Sequence, residues 1–235
     1  MKQGVLFRGG SLDRVRGKNL RMVRAAHLGT IVDLRPPAER SRRIVQLAGV
    51  DRIAIPFDVD RISRERIAPY INRRDGIQHI IEETDAVYRD MVSLAAAGVH
   101  DLFSVLLGAR YPVCINCRAG KDRTGFAIAL IHMTLGVFVE EMIADYLETN
   151  RFFLSRVRRV TRPLALLSLG RFPARTWEAA LTARESSLRT VIQTIEKKHG
   201  GIEGYLDHCG IGKIDRARLR ELLCEPCMNR SAREG

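Results

Sequence analysis

The chain has 235 residues, 46% of them hydrophobic and 28% charged, and its 39 lysines and arginines against 27 acidic residues give a formal charge of +12. That composition excludes a disordered chain, and the length supplies a core that needs neither disulfide nor metal. No apolar run approaches the ~20 residues that span a bilayer, and Met1–Arg8 lacks the apolar stretch of a cleavable signal, so the expectation is a cytoplasmic protein. The positive balance favours anionic partners. No nucleic-acid-binding motif accompanies it, so nucleic acid is not expected among them.

In chain order, Leu28–Leu34 reads as a short strand through Thr30, Ile31 and Val32, and Val50–Phe57 as a second through Ile53, Ala54 and Ile55. Both are apolar with little alternation, the pattern of strands buried on both faces. Ile77, Ile80, Ile81, Thr84, Tyr88 and Met91 then share one helical face, and Val99, Leu102, Phe103, Leu106 and Leu107 keep the spacing of a core-facing helix. Pro112–Asn116 gives a third strand, and Lys121–Leu135 a helix apolar nearly all round. Val139, Met142, Ile143, Tyr146 and Leu147 form the next stripe, and Thr176–Lys198 reads as one further helix. Between these last two, Arg151–Arg175 carries seven arginines and no acid, with Leu154, Val157, Thr161 and Leu164 on one face. It reads as a basic insertion. No repeat or linker divides the chain, so one domain over 1–235 is expected. Strands alternating with helices predict an α/β fold with a mainly parallel central sheet flanked by helices.

The chemistry concentrates in Cys117-Arg118-Ala119-Gly120-Lys121-Asp122-Arg123-Thr124-Gly125, between a predicted strand and a predicted helix. Backbone N–H groups in such a turn, together with the positive end of the helix, make a cradle for a tetrahedral anion. Arg118, Ala119, Gly120, Lys121 and Gly125 would line it. Arg123 would grip the oxygens through its planar fork. A cysteine there is expected to ionise more readily than the ordinary thiol at roughly 8.5, because helix N-termini and cations favour the thiolate. Cys117 could then attack phosphorus to give a cysteinyl-phosphate, with Arg123 and the amides stabilising the equatorial oxygens. Thr124 could donate to the sulfur as it leaves. The leaving oxygen needs a proton from a carboxyl within reach. Asp122 in the loop is the first candidate, and Asp58 and Asp60, after the second strand, are the alternatives. No metal or other cofactor is required.

Cys-x5-Arg-Thr, in the string CRAGKDRTG, closely resembles the phosphate loop of the bacterial tyrosine phosphatase family, which includes dual-specificity and phosphoinositide-active members. Leu6–Leu12, Thr30–Arg35 with Glu39, Asp145–Asn150, and Gly201–Leu206 with Gly210, Ile211 and Leu219 resemble other parts of that family in the expected order. The resemblance implies the cysteine-phosphatase fold and hydrolysis of phosphotyrosine in proteins or peptides, with phosphoserine and phosphothreonine within range. It also implies that a helical segment such as 151–175 can form a lid over the site. A basic lid would attract phosphopeptides or an anionic membrane surface. A phosphoinositide phosphatase is the first alternative, motivated by Lys121 and the arginine-rich segment. Lys121 would then meet a second phosphate; otherwise it is a solvated cation that tunes the loop. The family usually has His before the nucleophile, where this chain has Asn116. That departure is the best support for a reading from another class, a phosphate-binding or redox-sensing protein without turnover. An arsenate reductase, which also uses a Cys-x5-Arg loop, usually carries it near the N-terminus rather than mid-chain.

The remaining chemistry-bearing residues point less clearly. Five cysteines, Cys114, Cys117, Cys209, Cys224 and Cys227, form no disulfide framework and suit a reducing compartment. Cys224 and Cys227 lack the second ligand pair that zinc needs. Cys114 could trap oxidised Cys117 as a disulfide if the geometry allows. The six histidines show no ligand spacing. Arg8, Asp33, Arg35 and Glu39 are expected to form ion pairs that fix the first strand.

Overall fold

A computed structural model describes residues 1–225 except Arg14, 41–44, Asp58, Arg74 and the side chain of Asp60. Strands β1 (Leu6–Gly9), β2 (Thr30–Asp33), β3 (Asp51–Ala54) and β4 (Val113–Asn116) form one parallel sheet in the order β1-β4-β2-β3. The helices are α1 (Gly17–Ala25), α2 (Asp60–Ile67), α3 (Gly76–Leu94), α4 (Ala96–Gly108), α5 (Asp122–Leu135), α6 (Val139–Leu167), α7 (Ala174–Leu181), α8 (Glu185–His199), α9 (Ile202–His208) and α10 (Lys213–Leu223). The expected α/β class holds. Among the described residues no single helix is long and apolar enough to cross a membrane.

The two faces of the sheet are unequal. Val32, Val113 and Ile115 point into the main core, where α5 runs through the middle and is buried over most of its length, as its all-round apolar pattern predicts. Ile31 and Cys114 point the other way, into a thin layer with Leu28, Val23 and Leu12. Successive strand residues alternate in this manner because the side-chain period is two.

Three elements differ from the sequence reading. The strand β1 was not expected: four half-buried residues carry no periodic signal, and their pairing with β4 is set by tertiary contact. The second predicted strand is shorter than Val50–Phe57 and is not buried on both faces. Being the sheet edge, β3 exposes Asp51, Arg52 and Ala54. The single helix expected over Thr176–Lys198 is two, α7 and α8, broken at Thr182–Arg184 where Arg184 is extended. The break is held from α6: Asn150 Nδ2 donates to Ala183 O at 2.9 Å, and Ala183 N–H donates to Asn150 Oδ1 at 2.8 Å. Ser187 then ties the start of α8 to Asp85 of α3 at 2.7 Å.

The basic insertion is likewise not separate. The helix α6 runs unbroken through Pro163 to Leu167, so the family-like Asp145–Asn150 stretch and residues 151–167 of the arginine-rich segment share one helix. Its Val157 and Thr161 are buried, Leu154 is half-buried, and Leu164 is exposed.

Replacing Asn150 by Ala leaves both backbone groups of buried Ala183 without their partner, and such groups cost about 1–3 kcal/mol each when unsatisfied. Asn150→Ala is therefore expected to lower the urea midpoint measurably, with an unchanged m-value. A midpoint equal to wild type would show that the amide does not hold the break.

Candidate active site

The strand β4 ends at Asn116, the loop 117–121 follows, and α5 begins at Asp122. Cys117 is 2% exposed and packs beside Val113 and Ile115 at the end of the main core. Arg123 and Thr124 lie buried in the first turn of α5, and Gly125 N–H closes that turn on Lys121 O at 2.7 Å. The structure thus gathers Cys117, Arg118, Ala119, Gly120, Lys121, Asp122, Arg123, Thr124 and Gly125 at one strand-to-helix junction.

The loop is gripped from outside. Arg118 O accepts from Ser11 N–H at 3.1 Å, and Gly120 O accepts from Arg8 Nη2 at 2.9 Å. In a trans peptide the N–H points opposite to the C=O. Fixing those two carbonyls therefore turns the N–H groups of Ala119 and Lys121 away from β1, which is the orientation an anion cradle needs. Gly120 has φ +71°, and a Cβ there would sit 2.7 Å from the Gly9 carbonyl carbon and oxygen. Only glycine permits both that dihedral and that approach. Gly125 is constrained differently, since a Cβ on it would meet the Tyr146 ring at 2.7 Å.

Arg8, expected to fix the first strand, instead bridges the loop to α6. Its Nη1 pairs with Asp145 Oδ2 at 2.6 Å, and its Nη2 donates to Thr149 Oγ1 at 2.9 Å. Glu39, in the turn after β2, likewise reaches the junction: its Oε2 accepts from Arg123 Nη2 at 2.8 Å. Only Asp33 and Arg35 pair as expected, with Asp13 as a third member at 2.6 Å from Arg35 Nη1. Those carboxylates push the Arg35 pKa up. Arg35 Nη1 also donates to Ser11 Oγ at 3.0 Å, so this buried cluster steadies the segment that holds Arg118 O.

Lys121 corrects the sequence reading. It is 3% exposed, neither solvated nor at the mouth, and its Nζ lies 2.5 Å from Asp122 Oδ1. The same oxygen accepts from Tyr88 OH at 2.8 Å, and Tyr88 OH is 2.7 Å from Tyr146 OH. Because Tyr88 spends its proton on Asp122, Tyr146 donates to Tyr88. Burial pushes both phenol pKa values up, so both stay protonated. Among the described residues Asp122 Oδ2 takes no hydrogen bond, and the side chain is 40% exposed. Asp58 lies outside the described residues. Asp60 opens α2, and a small cavity of about 40 Å³ brings Val59, Ser63 and Ile67 from that region against Asp122. The two regions proposed for the acid therefore border one crevice.

Among the described residues Thr124 Oγ1 and Asn116 Oδ1 are buried without a hydrogen-bond partner. The expected donation from Thr124 to the sulfur is not made in this arrangement. The geometry does not allow a Cys114–Cys117 disulfide, because the two lie on opposite faces of the sheet, Cys114 with Ile31 and Cys117 with Ile115. Burial pushes the Cys114 thiol up to about 12, which leaves it a poor nucleophile. Of the CxxC pair, Cys227 lies outside the described residues.

A cavity of about 580 Å³ lies beside the loop, between Gly9–Ser11, Arg118–Gly120 and the α6 residues Glu148, Phe152, Phe153 and Arg156. Neither Cys117 nor Arg123 lines it. The segment expected as a lid thus borders the loop through its first turns.

A family model for the tyrosine phosphatase family matches residues 1–225. The chain belongs to the tyrosine phosphatase family. It is 28% identical to the triple specificity protein phosphatase PtpB of Mycobacterium tuberculosis, over 95% of this chain and 92% of that protein. It is 26% identical to "Putative tyrosine-protein phosphatase H16_A0669" of Cupriavidus necator, over 94% of this chain and 78% of that protein. As a tyrosine phosphatase it acts on phosphorylated substrates by hydrolysing the phosphate monoester of tyrosine.

Sequence reasoning missed Tyr88 and Tyr146 as parts of this phosphatase site, placing both on core faces. The available signal was a phenol in an otherwise aliphatic stripe, since a buried Tyr hydroxyl needs a partner. For Glu39 there was no signal beyond the resemblance. Glu39→Gln keeps the shape but removes the charge that orients Arg123. With charged hydrogen bonds worth about 1.5–3 kcal/mol, kcat/KM for phosphotyrosine peptides is expected to fall roughly ten- to a hundredfold. An unchanged kcat/KM in steady-state assays would show that Arg123 is oriented by other contacts.

Proposed function

We propose that Cys117 is the nucleophile of this phosphatase, Arg123 its transition-state clamp and Asp122 its general acid. The observation that carries the reading is the buried junction of Cys117, Arg123 and Thr124 beneath a loop whose carbonyls are bonded outward. The Cys117 sulfur attacks phosphorus as its anion, and the P–O bond to the tyrosine ring breaks in line. Asp122 gives its proton to the leaving phenolate oxygen. Arg123, steadied by Glu39, and the N–H groups of Ala119 and Lys121 hold the equatorial oxygens. Water then attacks the cysteinyl-phosphate while Asp122 takes back a proton, and inorganic phosphate leaves the sulfur. The buried, unpartnered hydroxyl of Thr124 supports a donor role towards that departing sulfur, since an orphaned polar group is otherwise costly.

For Asp122 the supporting feature is its unengaged Oδ2 on a partly exposed side chain, while Oδ1 is fixed by Lys121 and Tyr88. The same pairing occupies Lys121, which weighs against its meeting a second phosphate. That supports phosphotyrosine over a phosphoinositide as the preferred substrate. The name of the mycobacterial relative, triple specificity protein phosphatase, supports a range wider than phosphotyrosine alone.

Cys117→Ser is expected to abolish release of phosphate from para-nitrophenyl phosphate with chelator present. Rapidly quenched wild type should carry a phosphate adduct on residue 117 by mass spectrometry. A serine variant as active as wild type would remove Cys117 from the mechanism. Asp122→Asn is expected to slow hydrolysis of an alkyl or unactivated aryl phosphate by ~10²-fold or more and that of para-nitrophenyl phosphate far less, because an acid matters most for a poor leaving group. If Asp58→Asn or Asp60→Asn shows that contrast and Asp122→Asn does not, the acid lies before α2.

A further inference from the structure

We propose that the outward face of the C-terminal half of α6, with the turn that follows it, docks on an anionic lipid bilayer. Positions 152, 156, 159, 160, 163, 166 and 167 fall on one side of the helix, opposite the buried Val157 and Thr161 that pack inward. That side is apolar and cationic together. Phe152 is 73% exposed, Leu166 79%, Leu167 81% and Leu169, in the turn, 89%. Exposures this high leave the three leucines standing clear of the molecule, while Phe152 stands at the rim of the cavity beside the loop.

The cations there are uncommitted. Arg158 pairs with Glu178 and Arg151 approaches Glu148, but among the described residues Arg156, Arg159, Arg162, Arg171 and Arg175 form no ion pair. The segment 151–175 contains no carboxylate to neutralise them. A helix face of protruding leucines and phenylalanine interspersed with arginine has the chemistry of an interfacial helix, apolar side chains below the headgroups and guanidinium groups among them. A second copy of the chain is a poor occupant, because a two-fold pairing would set like charge against like charge. An acidic protein would satisfy the arginines but offers less reason for leucines that project so far. Phe152 and Arg156 also line the 580 Å³ cavity that reaches Arg118–Gly120. Docking by this face would bring the mouth of that cavity to the membrane surface.

The test is flotation of the full chain with vesicles of phosphatidylcholine alone and of phosphatidylcholine mixed with phosphatidylserine. Two variants accompany it, Leu166→Asp/Leu167→Asp/Leu169→Asp and Arg159→Glu/Arg162→Glu, with para-nitrophenyl phosphate turnover as the check on folding. Wild type is expected to bind the anionic vesicles at least about tenfold better than the neutral ones, and less well at high salt. Each variant is expected to lose about tenfold or more of that binding while turnover is unchanged. Binding is read without substrate, and Cys117→Ser should float like wild type, so the result is independent of which residue is the nucleophile. Failure of wild type to bind anionic vesicles, or equal binding by both variants, overturns the proposal. A leucine variant that floats like wild type, with binding to polyglutamate lost in the arginine variant, assigns the face to an acidic protein instead. A wild-type dimer that becomes a monomer in the leucine variant assigns it to a second copy.

Discussion

The working surface of the phosphate loop depends on the bonds made to its other side. A turn of glycine-rich backbone has no fixed orientation of its own. Here Arg8 takes the carbonyl of Gly120 and Ser11 that of Arg118, so the intervening amides face the other way. The close approach of Gly120 to Gly9 makes the loop and the end of β1 one packed unit. Arg8 in turn reaches Asp145 and Thr149, which couples the loop to α6. An anion site built this way is preorganised: the dipoles are held in place before any charge develops, and no reorganisation is needed when it does.

What was legible in the sequence follows from what is local. The strand-to-helix junction at 116–122, the helix α5 and the stripes of α3, α4 and α6 are written in period and in composition, and they form as expected. The loop residues are consecutive, so their gathering needs no tertiary information. The strand β1 was not legible, because four residues pairing with a segment more than a hundred positions away leave no periodic trace. Glu39 and Arg8 were readable as charged residues that would pair, but not as partners of Arg123 and Gly120. The break between α7 and α8 was hidden for a similar reason, since its backbone is satisfied by Asn150 from another helix. The burial of Lys121 was invisible because a lysine is almost always exposed unless paired, and its partners, Asp122 and through it Tyr88, come together only in the fold.

The distribution of charge separates two kinds of cation. Apart from the exposed Arg118, the cations set around the loop, Arg8, Arg35, Lys121 and Arg123, each have a carboxylate within 2.8 Å. Pairing fixes their position, and it also means that they add little long-range field. Part of the excess that makes the chain +12 lies elsewhere: among the described residues Arg156, Arg159, Arg162, Arg171 and Arg175, from α6 to the start of α7, form no ion pair. Under the proposed mechanism, local recognition of a phosphate falls to oriented amides and Arg123. Long-range attraction of anions falls to a different surface, and salt should weaken the second far more than the first because only exposed charges are effectively screened.

The interior strand β4, which leads into the loop, also sorts two thiols. The side chains of β4 alternate, so Val113, Ile115 and Cys117 belong to the main core side while Cys114 belongs to the thin layer under α1. Cys114 is enclosed by Ile31, Leu28 and their neighbours, and burial raises its thiol to about 12, which keeps it protonated at neutral pH. Three residues later the strand has ended, and the next sulfur sits where the loop amides and the α5 N-terminus begin. An even separation would have put both sulfurs on one face of the sheet. The odd separation hides one behind the sheet and delivers the other to the loop, so a buried structural cysteine and the proposed nucleophile can lie three residues apart without exchanging roles.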